Sequence, residues 1–174
     1  MIRALLKTLL LSIGLGLCIC CGSHAADTNL VNREYQLKTA YLFHFAELAE
    51  WPTPTPVTIC LQGDSPLRAY LPVLSGLQID GRTVHVLLAE NPPIQHCQIL
   101  FLSDLSALSQ TLLDQAKNNH VLLVSDIEDF ARQGGMIEFT LRDNKLKLVV
   151  NLTAVKRAGL KLSSKLLRMA EILE

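Results

Sequence analysis

Three serine–aspartate pairs are the residues whose type and spacing could do chemistry: Asp64 with Ser65, Ser103 with Asp104, and Ser125 with Asp126. Each follows a short apolar run, at the place of a strand's carboxyl end, and in open α/β sheets ligands bind beyond those ends at a topological switch point. Carboxylates gathered there could hold a cation or accept a phosphoryl group. Each pair also stands where a helix needs its N-cap, which accounts for the residues without a ligand; a helix N-terminus there could still hold a small anion. The other reactive residues do not assemble. His44, His85, His96 and His120 show no HExxH or paired spacing, and the chain has no GxSxG elbow, P-loop or GxGxxG run. Gly134-Gly135 reads as a turn, not a phosphate cradle. Cys97 beside His96 suggests an activated thiol only if it is not oxidised. No nucleophile, base and stabiliser can be placed together, so no enzyme, metal or cofactor is expected.

The compartment bears on the cysteines. Met1 to Lys7 is basic, Thr8 to Gly22 is almost wholly apolar, and Ser23-His24-Ala25 offers small residues ahead of a cut before Ala26. That layout predicts a signal peptide over 1–25 and one exported domain over 26–174, with no later segment suited to span a bilayer. Cys18, Cys20 and Cys21 fall in the leader; a lipoprotein site there would want a small residue before the modified cysteine, and Leu17, Ile19 and Cys20 are poor candidates. Cys60 and Cys97 remain, and two cysteines in an exported chain read as a disulfide more readily than as a metal pair.

At 49% hydrophobic and 18% charged residues, the chain is not intrinsically disordered. Its balance of 16 basic and 16 acidic residues becomes 14 against 16 once Arg3 and Lys7 leave with the leader. The sum hides a split: Asp27 to Leu141 holds 6 basic and 13 acidic residues, whereas Arg142 to Arg168 holds 8 basic residues against Asp143 alone. Arg142, Lys145, Lys147, Lys156, Arg157 and Lys161 are therefore candidate contacts for an anion or a charged partner, or else a solvated basic face.

The elements that would position these residues are a helix from Arg33 to Glu50, stopped by Trp51-Pro52, then strands alternating with helices. Val57–Gln62 leads through Ser65-Pro66 into a helix to about Leu74. Thr83–Leu88 and Cys97–Leu102 are strands, and Ser103-Asp104 caps a helix to Lys117. Val121–Val124 is a buried strand, and Ser125 to Glu128 forms a capping box for a short helix. Asp143-Asn144 joins a hairpin in which Leu141–Leu146, Phe139–Leu148 and Ile137–Val150 share a face. Its lysines read as edge guards. Two short helices follow, one ending at Gly159 and one from Ser164 with Leu166, Leu167, Ala170 and Leu173 inward. This order predicts a three-layer α/β fold, a mostly parallel sheet ending in an antiparallel hairpin with helices on both faces. The first helix carries its main apolar stripe on Leu37, Ala40, Tyr41, His44, Phe45 and Leu48, but is apolar around much of its circumference. It must therefore be covered on more than one side.

Several blocks resemble the YfiR family. They are Tyr35-Gln36-Leu37-Lys38-Thr39-Ala40-Tyr41-Leu42-Phe43-His44-Phe45 closed by Trp51-Pro52, Ile59-Cys60 with Gly63-Asp64, and His96-Cys97-Gln98-Ile99-Leu100-Phe101. Phe130-Ala131 through Gly134-Gly135-Met136-Ile137-Glu138-Phe139 and a close through Asn151-Leu152, Ala158-Gly159-Leu160 and Ser163 to Leu167 complete the set. The resemblance implies a periplasmic, dimeric, non-enzymatic α/β protein. It would repress a membrane-anchored diguanylate cyclase by contacting its periplasmic sensor region, lowering cyclic-di-GMP and biofilm formation, and an outer-membrane lipoprotein could sequester it. It also puts Cys60 and Cys97 at the positions of a family disulfide; no cysteine follows Cys97, so a second pair found in some relatives is missing.

On this reading Tyr41, Phe43, Phe45 and Trp51 form the interaction surface, with plain core as the competing role for these aromatics. A small-molecule sensor, with an anionic or aromatic ligand between the strand ends and the basic C-terminal region, is the alternative. Nucleic acid is not an expected partner.

Overall fold

The computed structural model describes residues 24–52 and 56–173; the predicted leader before residue 24, with Cys18, Cys20 and Cys21, lies outside them. The chain divides between Asn32 and Arg33, and the body that follows holds the sheet. In chain order the elements are α1 (His24–Leu48), β1 (Ala49–Glu50), β2 (Val57–Gln62), β3 (Gln78–Ile79), β4 (Arg82–Ala89), β5 (Ile99–Leu102), α2 (Gln110–Asn118), β6 (Leu122–Ser125), β7 (Ile137–Arg142), β8 (Lys145–Asn151), α3 (Leu152–Arg157), β9 (Lys161–Leu162), α4 (Ser164–Leu167) and β10 (Ala170–Leu173).

Eight strands form one sheet in the order β10-β8-β7-β6-β5-β2-β4-β3. The run β4-β2-β5-β6-β7 is parallel, and β8 returns antiparallel to β7. From β2 the chain steps first to β4 on one side and then to β5 on the other, so the strand order reverses between β2 and β5. Right-handed crossovers in opposite directions put their connections on opposite faces. The Pro66–Leu74 segment accordingly shares a face with α1, where Tyr35 stacks on Tyr70 at 5.9 Å, and α2 lies across the other. The expected three layers are present.

The hairpin follows the predicted register, Ile137↔Val150, Phe139↔Leu148 and Leu141↔Leu146. Asp143 and Asn144 both have positive φ, 52° and 56°, the requirement of the two-residue turn that matches strand twist.

Other expectations fail for identifiable reasons. Pro66–Leu74 is two short 3₁₀ segments, not one helix, because Pro72 has no N–H to continue the ladder. Asp104 caps only the 3₁₀ turn Leu105–Ala107, and α2 starts later with Ser109 accepting from Leu112 N. The stretch from Asp126 to Gly134 makes turns instead of a capped helix, since Ser125 Oγ is engaged by Leu102 O and Ile127 N. The last predicted helix stops at Leu167; Ala170–Leu173 becomes a strand parallel to β8, so β10 and not the hairpin forms that sheet edge. A second, two-stranded sheet pairs β1 with β9.

Candidate functional site

Beyond the carboxyl ends of β2, β4 and β5, at the point where strand order reverses, a cleft of about 840 Å³ is lined by Gln62, Asp64, Arg68, Glu90, Ser103 and Asp104 among others. This is where the fold class puts ligands, yet its polar groups are largely committed to the chain itself. Ser65 Oγ accepts from Leu67 N. Ser103 Oγ donates to Gln62 O at 2.8 Å, and Arg68 donates from Nε and Nη2 to Gly63 O. Gly63, at φ 87°, permits this closeness, because a Cβ there would stand 2.4 Å from Ser103 Oγ. Asp104 accepts from Ser106 N, and that backbone hydrogen bond holds its pKa below the ordinary value.

The third pair goes elsewhere: Asp126 is bound by Lys38. Among the described residues no set of three histidine, cysteine or acidic side chains is arranged to hold a metal. Ser65, Asp104 and Ser125 accept from backbone N–H groups, and Ser103 and Asp126 make ties to other segments; the basic C-terminal region is not part of this acidic cleft.

Cys60 and Cys97 are bonded, with Cα atoms 5.7 Å apart. The bond links β2 to the turn before β5, so the thiol beside His96 is consumed.

Helix α1 meets the sheet through Lys38, Leu42, Phe45 and Ala46, all buried. Phe45 is fully enclosed, stacked on Phe139 at 5.7 Å. It belongs to the core and cannot be a contact residue, which corrects its place in the predicted surface. Tyr41 is half-buried, its ring 5.9 Å from Phe139. Phe43 is half-buried and edge-on to His44. Trp51 is also half-buried, with its indole Nε1 enclosed and without a hydrogen-bond partner among the described residues.

The rest of the predicted stripe faces outward. Leu37, Ala40, Tyr41, His44 and Leu48, with Lys165 and Met169, line an apolar groove of about 300 Å³. Leu37 is 42% and Met169 47% exposed. The spacing of residues 37, 41, 44 and 48 is four, three, four, the seam by which one helix receives another. Lys165 and Met169 escaped prediction because only the packing of α4 and the residues just after it against α1 brings them there.

A buried charge also escaped prediction. Lys38 Nζ, on a side chain 4% exposed, donates to Asp126 Oδ2 at 2.6 Å, pairs with Glu34 and lies 4.7 Å over the Tyr35 ring. Burial alone would lower its pKa, but the hydrogen bonds and charges of Asp126 and Glu34 outweigh that and hold it raised. Burial likewise raises the Tyr35 phenol despite the neighbouring ammonium. The network ties α1 to the end of β6.

The six predicted basic contacts scatter. Arg142, Lys145 and Lys147 are on the hairpin, where Arg142 pairs with Glu171 at 2.6 Å. Lys156 and Arg157 end α3, and Lys161 in β9 faces Glu50 at 3.9 Å.

Comparison with the curated proteins finds no match. Among solved structures, a conserved domain protein from Vibrio cholerae is similar at 9% identity over 78% of this chain and 60% of its own, with a TM-score of 0.51. An ABC domain from Streptococcus pneumonia, solved in complex with L-Trp, is similar at 11% identity over 76% and 59%, with a TM-score of 0.48. The chain thus spans about three-fifths of the length of either structure, and the first likeness bears on fold alone. The YfiR/HmsC-like family model matches residues 35–171, most of the chain. The chain belongs to the YfiR/HmsC-like family.

Proposed function

We propose that this protein is a non-enzymatic periplasmic regulator that represses a membrane-anchored diguanylate cyclase by contacting its periplasmic sensor region. The outward apolar groove of α1 is the association surface, and that groove is the observation that carries the reading. Along this seam Leu37 and His44 are exposed and Tyr41 and Leu48 only half-buried, whereas Phe45 on the same helix is sealed against the sheet. An exposed apolar helix face with coiled-coil spacing suits a helix laid into it. Family membership supports the compartment and the partner class, and the Cys60–Cys97 bond suits an oxidising compartment. Homodimerisation and capture by an outer-membrane lipoprotein are further expectations of the same family.

Repression is then a population shift: the regulator binds one conformation of the sensor better than the other. A differential affinity of roughly 3 kcal/mol changes activity more than a hundredfold. The test is a pull-down from membranes with wild type and with Leu37→Asp/Tyr41→Asp, read by mass spectrometry beside cellular cyclic-di-GMP. Wild type should recover a diguanylate cyclase and lower the nucleotide; the folded variant should do neither. Equal recovery by both proteins, or recovery of no cyclase, overturns the proposal.

A further inference from the structure

At the amino ends of β6 and β7, opposite the switch-point cleft, a second cleft of about 520 Å³ opens between α2, the segment before β7 and α3. Three cations from three separate segments line it: Lys117 in the last turn of α2, Arg132 in the turns after β6, and Arg157 at the end of α3. Asp114 is the sole acidic residue of the lining, and its Oδ1 already accepts from Gln110.

The cations are not spent on internal pairs. Lys117 and Arg157 have no ion-pair partner among the described residues, and Arg132 meets Asp129 at 3.5 Å with both side chains more than 60% exposed. A pair so exposed contributes little. Collecting three like charges in one concavity raises its potential and disfavours the empty state relative to one holding a counter-charge.

The shape refines the ligand. Leu113, Met136 and Ala154 give the cleft an apolar part, and Gly134 lets α2 approach, since a Cβ there would stand 3.0 Å from Leu113 Cδ1. The volume falls within the range of organic ligand sites, roughly 300–1,000 Å³, and far exceeds a bare ion. Guanidinium forks match phosphoryl oxygens, and a phosphate monoester carries nearly two negative charges at neutral pH. We infer that this cleft binds the phosphoryl group of an organic phosphate, held by Lys117, Arg132 and Arg157. The inference is independent of the α1 groove and of the regulatory reading.

The test is calorimetric titration and thermal melting of the oxidised protein with inorganic phosphate, in a non-phosphate buffer with ionic strength fixed by sodium chloride. Phosphate should bind saturably and raise the melting temperature. Arg132→Gln/Arg157→Gln should weaken it at least tenfold while melting like wild type without phosphate, and Lys145→Gln/Lys147→Gln on the hairpin should leave it intact. Phosphatidylglycerol vesicles separate the sources: retention competed by free phosphate assigns a lipid headgroup, and phosphate binding without retention assigns a soluble ester. No effect of phosphate beyond that of chloride, or an unchanged titration in the Arg132→Gln/Arg157→Gln variant, overturns the inference.

Discussion

Phe45 and Leu37 stand on one helix, and a pair of truncations can separate the core role of Phe45 from the docking role proposed for Leu37. Phe45 is wholly buried, stacked on Phe139 and 6.0 Å from Tyr41. Removing a buried phenylalanine ring costs 3–5 kcal/mol, depending on how far the site collapses. Tyr41 is half-buried and can lean into the void, which argues for the middle of that range, about 4 kcal/mol for Phe45→Ala. Against a total stability of about 5–15 kcal/mol this is a large fraction. It should lower the melting temperature by about 8–16 °C at the roughly 2–4 °C per kcal/mol expected for a domain of this size. Leu37 is 42% exposed, so Leu37→Ala should cost less than about 1 kcal/mol. Urea unfolding followed by circular dichroism measures both, and light scattering or membrane pull-down measures association. Phe45→Ala should be the unstable variant, and Leu37→Ala the stable one with weakened association. If Phe45→Ala costs under 1 kcal/mol, or Leu37→Ala matches it, the division of the helix into core and docking faces is wrong.

The Lys38 network gives a pH-dependent prediction. Lys38→Met should destabilise by about 2–3 kcal/mol at neutral pH, less than a fully buried pair because Glu34 and Asp126 keep about a quarter of their exposure. A lysine whose pKa rises on folding contributes fully below its unfolded pKa and loses that contribution as pH climbs through the folded value. The gap between wild type and variant in urea unfolding should therefore close in strong alkali, and a gap that persists there contradicts the assignment. For the disulfide, with 37 residues of separation, reduction should remove about 4 kcal/mol and lower the melting temperature by about 10 °C. Thiol titration of the unreduced protein should find no reactive cysteine.

How much was legible in the chain depended on how local the cause was. The hairpin could be read because Asp143-Asn144 sits between alternating runs that agree on one register. The crossover order could be read from apolar runs followed by polar caps. Ala170–Leu173 was misread as helix because its pairing with Leu148–Asn151 in β8 leaves no trace in its own residues. Phe45 was misplaced for a related reason: a helix apolar around most of its surface does not say which side the sheet will cover. The burial of Lys38 was not legible, since its partner Asp126 lies 88 residues away. The anion cleft drew only Arg157 from the predicted basic set, because Lys117 and Arg132 lie in a stretch whose acidic excess hides them.

The dependence of α1 on Phe139 governs the order in which the molecule can be completed. The helix is translated early, whereas the ring it stacks on arrives some ninety residues later, by the numbering; the β9 segment that pairs with Ala49 and Glu50 follows later still. A nascent chain therefore holds this helix without a permanent berth until nearly all of the protein has been synthesised. Such delayed closure lengthens the interval in which a chaperone or a translocation channel can grip the N-terminal part, and it makes truncation near the C-terminus expose the first helix as well as the last strand.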